Sequence, residues 1–123
     1  MWFETLPPDC PPNDATRPEN QVLYRLVKYN PAQCCDFWSH KKLGLDTTLK
    51  SPPDPCNVCA ISLFTSIEKA ENLKKMRAHR GKYIAVVQLN RNAGVLKQTY
   101  QPEHYSWWRA KSYPIVDFTH VIE

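Results

Sequence analysis

Residues 58–81, VCAISLFTSIEKAENLKKMRAHRG, decide the fold of this chain. The first seven of them are mostly apolar, which is typical of a buried strand. The sequence from Thr65 to Glu68 then has the form of a capping box, with Thr at the N-cap and Glu three residues later. Gly81 is well placed to end the helix, because glycine favours the position just after a helix. We therefore predict a strand that leads directly into one helix over residues 66–79.

Apolar and polar side chains separate onto two sides of this predicted helix. Glu71 and Lys75 stand in the favourable i, i+4 order for an ion pair on the polar side. The other side carries a drifting apolar stripe, made of Ile67, Ala70, Leu73 and Met76. A helix with one apolar stripe packs that stripe on another layer of structure.

Apolar segments on both sides of the helix predict the layer on which it packs. These segments span residues 22–27, 82–89, 95–99 and 115–122. Residues 90–94 form a turn signal, so we expect residues 95–99 to return as the second strand of a hairpin. The whole pattern predicts an α+β fold, with a small, mostly antiparallel sheet and one main helix.

The distribution of proline residues predicts that the chain consists of an N-terminal arm and one domain. The first 20 residues contain five of the eleven prolines and little periodicity, which predicts a proline-rich N-terminal arm over residues 1–20. Residues 21–123 then form a single domain, since 123 residues are within the usual size of one domain. Residues 43–57, centred on residues 51–55, are predicted to be a long loop.

The net charge of the chain and the length of its apolar stretches disfavour some classes of binding partner. The net charge of +4 is compatible with an anionic ligand, but the basic residues are scattered rather than clustered in a stripe, which disfavours nucleic acid. No stretch approaches the roughly 20 apolar residues that cross a bilayer, and the first residues lack the features of a secretory signal. We expect no membrane association and a cytoplasmic location.

Five cysteines occur, an odd count that argues against a disulfide framework in a chain with no export signal. We expect ordinary reduced cysteines and no metal. Two alternatives are a redox pair and a zinc site in which Cys34, Cys35, Cys56 and Cys59 supply four thiolates. Cys10 is the fifth cysteine.

Arg25 is the first candidate for function. In an extended strand it shares one face with Leu23 and Val27, so its charge needs a partner. One interpretation is an internal salt bridge with Asp36, Asp117 or a glutamate. The other is an arginine that binds an anion in a cleft.

Well-known catalytic motifs are absent from the sequence, including the nucleophile elbow, the phosphate-binding glycine loops and HExxH. What remains is an ordered series of three segments. Tyr24 and Arg25 lie on an early strand, residues 62–66 (Ser-Leu-Phe-Thr-Ser) lead from a strand into the helix, and residues 103–108 (Glu-His-Tyr-Ser-Trp-Trp) form a polar and aromatic cluster.

This order resembles the ADP-ribosyltransferase-like fold, including the small NAD-handling toxins of the RES type, over roughly residues 22–122. In those families an arginine or histidine on the first strand holds NAD. A strand end rich in Ser and Thr shapes the nicotinamide pocket, and a late glutamate or other polar residue completes catalysis.

The resemblance implies a role for each matching residue, with NAD as the substrate. Arg25 would hold the phosphate or ribose, and Ser62 would bond the ribose or the nicotinamide amide. Thr65 and Ser66 would begin a helix whose N-terminus faces the anion. Independently of the resemblance, Trp107 and Trp108 would suit stacking on a nicotinamide, an adenine or a partner's side chain if both are exposed, and the alternative is one core and one surface aromatic.

The third segment departs from the family pattern, because no Gln-x-Glu or Glu-x-Glu precedes the last strand. Glu103 and His104 are the expected catalytic substitutes, with the terminal Glu123 as a further carboxylate. Structural roles are the alternative: Ser62, Thr65 and Ser66 would only end a strand and cap a helix, and His104 would bond a loop carbonyl.

Two functions therefore follow from the sequence. One is an NAD-binding, ADP-ribosyltransferase-like domain that transfers ADP-ribose or cleaves NAD. The other is a non-catalytic protein-interaction module of the immunity or adaptor type, suggested by the aromatic content, the proline-rich arm and the missing glutamate. The expected partner is accordingly a small nucleotide ligand or another protein.

Overall fold

Six antiparallel strands form one sheet with one α-helix against it in the computed structural model, which describes residues 1–48 and 53–122. The sheet order is β4-β5-β2-β1-β3-β6. The predicted α+β class, with a mostly antiparallel sheet and one main helix, is confirmed. The elements are β1 (Gln21–Val27), β2 (Ile61–Phe64), α1 (Ile67–Lys74), β3 (Tyr83–Leu89), β4 (Gly94–Gln98), β5 (His104–Arg109) and β6 (Thr119–Ile122).

Alternating side chains place the core on one face of the sheet. Leu23 and Val27 of β1 are buried on that face, and Leu63 of β2 and Val87 of β3 are fully buried beside them. Trp107 of β5 belongs to this core and has no exposed surface. Burial of such side chains is the main favourable contribution to folding.

The helix begins one residue later than the capping-box pattern predicts. The Oγ of Ser66, rather than that of Thr65, accepts a hydrogen bond of 3.0 Å from the backbone N–H of Lys69. The backbone N–H of Thr65 donates to the carbonyl of Glu103 at 3.0 Å. Thr65 therefore still belongs to the end of the sheet ladder.

The helix also ends earlier than predicted, at Lys74. Met76 has an extended backbone, and a separate 3-10 turn follows at Arg77–His79. Gly81 has a φ of +83°, a conformation that glycine adopts without strain. Its place is the turn into β3, so the prediction that Gly81 ends the helix is wrong.

The predicted hairpin of residues 82–89 with residues 95–99 is wrong. β3 lies between β1 and β6, whereas β4 is at the opposite edge of the sheet and pairs with β5. The close approach of β5 to β4 requires glycine at position 94, because a Cβ there would collide with the carbonyl of Trp108. The polar and aromatic cluster that follows is an interior strand, β5, which periodicity did not reveal.

Two predicted strands are shorter in the structure. The segment before the helix forms a 3-10 turn at Asn57–Cys59 and becomes a strand only at β2. The last segment likewise forms a 3-10 turn at Ile115–Phe118 before β6.

The N-terminal arm lies along the β4 and β5 side of the sheet. Thr16 exchanges backbone hydrogen bonds with Leu96 of β4, and the N–H of Phe3 donates to the carbonyl of Arg109. The carboxylate of Glu4 accepts hydrogen bonds from the backbone N–H and the hydroxyl of Ser39. These contacts fix the arm against the domain over most of its length.

The cysteine prediction requires correction. Cys10 and Cys56 form a disulfide, with a Cα–Cα distance of 5.5 Å, because the arm folds back onto the loop before β2. Cys34, Cys35 and Cys59 are free thiols. The Cys-x-x-Cys motif is therefore not a redox pair of its own.

Part of the predicted loop and the last residue, Glu123, lie outside the described residues. The described parts of the loop contain short 3-10 turns at Asp46–Thr48 and Asn57–Cys59. Within the described ranges, no helix combines the length and apolar character needed to cross a membrane.

Candidate functional site

A cleft opens in the middle of the sheet, where β1 and β2 separate. β1 pairs with β3 along its whole length, and β2 pairs with β5 at four positions. Between β1 and β2, by contrast, the register contains the single pair Tyr24–Phe64. Antiparallel neighbours would normally continue their ladder, so the short pairing leaves room between the two strands.

The cleft has a volume of about 280 Å³ and draws its walls from several elements. Its lining comes from β1 and β2, from the segment that follows a 3-10 turn at Cys34–Phe37, and from α1 and the turn after it. We call it the cationic cleft. Its lining residues are Arg25, Leu26, Trp38, Ser39, His40, Ala60, Ile61, Ser62, Phe64, Leu73, His79 and Lys82.

Arg25 joins the two sides of the cationic cleft. Its Nη1 donates to the carbonyl of Ser62 on β2, and its Nε donates to the carbonyl of Asp36, both at 2.8 Å. These bonds take two of the five N–H groups of a guanidinium. The other three have no hydrogen-bond partner among the described residues and are free to bind a ligand.

No carboxylate in the described residues forms an ion pair with Arg25. The carboxylate of the buried Asp36 instead accepts the backbone N–H groups of Lys28 at 2.7 Å and Gln33 at 2.9 Å. Burial lowers the pKa of Arg25 to about 10, and the nearby charge of Asp36 opposes this shift. Arg25 thus remains a cation at neutral pH without direct neutralisation.

Three further basic groups line the same cleft. Burial, reinforced by the charges of Arg25 and Lys82, lowers the pKa of His40. Burial and Lys82 likewise lower the pKa of His79, whose Nδ1 lies 2.9 Å from the Nζ of Lys82. Burial and then the charges of Arg25 and Lys28 lower the pKa of Lys82, while Asp36 acts in the opposite sense.

Burial is the largest cause of these lowered pKa values, and the neighbouring positive charges add to it. An anion bound among the groups would oppose both causes, because it favours their charged forms. None of the lining residues is a carboxylate. The cationic cleft is therefore suited to an anionic ligand, and its lining also contains the aromatic residues Phe64 and Trp38.

The structure brings together two of the residues expected at the site. Arg25 and Ser62 both line the cationic cleft, but Ser62 meets Arg25 through its carbonyl. Thr65 is exposed and does not line it, and the hydroxyl of Ser66 caps α1. The cleft is lined by Leu73, near the C-terminal end of α1, and the N-terminus of α1, where an anion was expected, is not part of its lining.

His104 and Glu103 lie outside the lining of the cationic cleft. His104 is buried, and its Nδ1 lies 3.0 Å from the Oγ1 of Thr99, which in turn lies 2.8 Å from the Oγ of Ser106. Burial is the main cause that lowers the pKa of His104. The ring of Phe64 contacts that of His104, with centroids 5.5 Å apart, and separates it from the cleft. We call Thr99, His104 and Ser106 the His104 cluster.

Trp107 cannot stack on a ligand in this structure. Its ring is fully buried in the core, and its Nε1 donates to the carbonyl of Ala93 at 2.9 Å. Trp108 is also fully buried, and its Nε1 donates to the carbonyl of Cys56 at 3.0 Å. The expected cofactor-binding role of Trp107 is therefore wrong, because its ring lies on the face of the sheet that forms the core.

Sequence reasoning missed His40, His79, Lys82 and Trp38 as cleft residues. The sequence predicts His79 as the last residue of a long helix and Lys82 as the first residue of a strand. Their signal is weak because each comes from a different segment. Two of the four histidines, His40 and His79, line the cleft, but they belong to separate segments of the sequence.

A larger depression of about 450 Å³ lies beside β6, lined by residues 30–32, Val116 and residues 119–121. Its one ionisable side chain is His120, so it lacks the converging polar groups of a chemical site. Within the described part of the chain, no group of three or more His, Cys, Asp and Glu side chains could hold a metal ion.

Comparison with protein-family models, with curated proteins and with solved structures finds no match to this chain.

Proposed function

We propose that this protein binds NAD, or a closely related dinucleotide anion, in the cationic cleft, as an ADP-ribosyltransferase-like domain. The observation that carries the proposal is the convergence of Arg25, His40, His79 and Lys82 on one cleft that no carboxylate lines. The resemblance of the segments around Arg25 and Ser62 to that family supplies the identity of the ligand.

The charges of the cationic cleft match a pyrophosphate. The guanidinium of Arg25 has N–H groups left after it bonds the carbonyls of Asp36 and Ser62, and a guanidinium makes fork-shaped bonds to phosphate oxygens. The ammonium of Lys82 provides a second positive charge. Because the C-terminal part of α1 adjoins the cleft, these side chains must attract the anion without help from the helix dipole.

The shape of the cleft matches part of a dinucleotide. A volume of about 280 Å³ is at the lower end of ligand pockets. Phe64 offers an aromatic ring beside Ser62, where a base or nicotinamide would stack. We expect one nucleotide half and the pyrophosphate to enter the cleft and the other half to extend from it.

Isothermal titration calorimetry with NAD tests the proposal. Lys82→Gln should weaken binding about tenfold, because it removes one charge that faces the phosphates. Lys74→Gln is the matched control, since it removes one exposed charge at the end of α1 and should change the affinity by less than about twofold. No heat of binding with a folded protein, or an equal loss from both substitutions, would refute the proposal.

A second candidate is non-catalytic recognition. It is favoured by the lining of the cationic cleft, which contains no carboxylate, and by the position of His104 and Glu103 outside it. Release of nicotinamide from NAD, followed by chromatography, separates the two. Release that Arg25→Gln abolishes supports an enzyme, whereas binding without release supports a recognition module.

A further inference from the structure

Lys82 occupies an unusual position within the cationic cleft. It is half-buried just before β3, and its Nζ lies 2.9 Å from the Nδ1 of His79. No carboxylate of the described residues forms an ion pair with it. The basic groups that act on it are Arg25 and Lys28, and Asp36 is the one acid that does.

The contact between Lys82 and His79 restricts their protonation. Two nitrogens at hydrogen-bond distance cannot both present a proton to each other, so one of them must accept. Burial and neighbouring cations lower the pKa of both groups, which favours one shared proton over two. A lysine beside another cationic group in a partly dry site is a recognised form of activated amine.

We propose that the amine of Lys82 forms a Schiff base with the aldehyde of a phosphorylated ligand held in the cationic cleft. The inference rests on the proposed function, because Arg25 must hold the ligand's phosphate there. His79 acts as the adjacent base, and Arg25 fixes the orientation. Lys82 is then a covalent attachment site rather than only a charge that attracts the ligand.

The chemistry is balanced without any redox partner. The lone pair of the neutral Lys82 amine attacks the carbonyl carbon, so that the C–N bond forms, the C=O π bond breaks and the oxygen takes a proton from water. The nitrogen, now positively charged, passes a proton to the neighbouring His79. His79 returns that proton to the hydroxyl of the carbinolamine, which leaves as water while the nitrogen lone pair forms the C=N bond of a protonated Schiff base.

The ligand class follows from the same geometry. The ligand needs a phosphate for Arg25 and an aldehyde for Lys82. A ring-opened sugar phosphate satisfies both requirements, and so does the ring-opened ADP-ribose that hydrolysis of NAD would produce. This connects the covalent site to the proposed ligand, since a product of NAD cleavage could remain attached to the cleft.

Pyridoxal 5′-phosphate, which carries an aldehyde and a phosphate in one small molecule, is a suitable probe. The protein is incubated with it, the imine is reduced with borohydride, and the labelled peptides are identified by mass spectrometry. We expect labelling of Lys82 about tenfold faster than labelling of the exposed Lys74. Pyridoxal without the phosphate should label Lys82 at least about fivefold more slowly, because Arg25 no longer holds it.

Two variants complete the design. Lys82→Arg keeps the positive charge but should not be labelled at position 82. In the control variant Lys74→Arg, Lys82 should still be labelled. Equal labelling of Lys82 and Lys74, or equal rates with and without the phosphate, would overturn the inference.

Calorimetry with NAD on the same protein samples distinguishes the proposed covalent site at Lys82 from the proposed binding of NAD. If NAD binds and Lys82 is not preferentially labelled, the covalent site is wrong and the nucleotide cleft stands. If NAD does not bind and Lys82 is not labelled, both are wrong. Preferential, phosphate-dependent labelling without NAD binding would support an anion cleft with a reactive lysine and refute NAD as its ligand.

Discussion

The cationic cleft and the His104 cluster lie on either side of Phe64, and they differ in how far their polar groups are paired by hydrogen bonds. In the cluster, His104 and Ser106 are buried and share Thr99 as a hydrogen-bond partner. In the cleft, Arg25 retains unused donors and the neighbouring bases repel one another. Satisfied buried groups stabilise a fold, whereas unsatisfied charges at a cavity are typical of a binding site.

The largest effect is expected from Arg25→Gln. NAD binding should weaken about 100-fold, because the charged fork to the phosphates is lost. The free energy of unfolding should also fall by about 2 kcal/mol, since two carbonyls lose a charged donor. Calorimetry gives the first value and urea unfolding gives the second.

Arg25→Lys distinguishes charge from shape in the same experiment. It keeps the positive charge but not the planar fork, so its affinity should lie between those of the wild type and Arg25→Gln. A folded Arg25→Gln protein with unchanged affinity would show that Arg25 is only a structural link.

The next largest effect should come from the other side of Phe64. His104→Ala removes the contacts to Thr99 and Phe64 from a buried position, which should lower the free energy of unfolding by about 2 kcal/mol. The affinity for NAD should stay within about twofold. A loss of affinity comparable to that of Arg25→Gln would place His104 in the binding site.

A smaller effect is expected at the start of the helix. Ser66→Ala removes the hydroxyl that accepts from the backbone of Lys69, so thermal unfolding should show a loss of about 1 kcal/mol. Because the N-terminus of α1 does not line the cationic cleft, the affinity for NAD should not change. Weaker binding by Ser66→Ala would restore the helix N-terminus as part of the site.

The smallest effect should be the pH dependence, in which binding and stability change in opposite directions. The pKa values of His40, His79 and His104 are lowered from the ordinary 6.5 in the folded protein. The unfolded chain therefore binds protons first, and the ligand-free protein should lose stability as the pH falls below 6.5.

A bound anion should raise the pKa of His40 and His79 in the cationic cleft. NAD affinity should then increase about threefold between pH 7.5 and pH 6. Urea unfolding and calorimetry over this range provide the two curves. Affinity that falls with acidification would contradict the assignment of these histidines to the binding site.

Local signals in the sequence predicted the elements better than their arrangement. The alternation around Leu23 and Val27 correctly indicated a strand, and the Thr-Ser pair before Ile67 correctly indicated a helix start. The position of β4 beside β5 could not be read in this way, because strand order depends on long-range packing. Trp107 shows the same limit: its type suits either a core or a stacking role, and only the sheet order decides.

Part of the candidate site could likewise be predicted, where the sequence contains a local signal. Arg25 was identified because a charged residue between apolar neighbours on a strand needs a partner. Lys82 and His79 were not, because their nearness to Arg25 follows from the turn at Gly81 and from the separation of β1 and β2. The pairing of Cys10 with Cys56 likewise depends on how the arm folds back.

One NMR titration tests the difference between the two regions most directly. Amide chemical shifts are followed in ¹⁵N-labelled protein as NAD is added, with inorganic sulfate at the same ionic strength as the control. The account predicts saturable changes at Arg25, His40, Ser62 and Lys82, with little change at Thr99 and His104. Changes concentrated at the His104 cluster, or none that exceed those with sulfate, would contradict a nucleotide site in the cationic cleft.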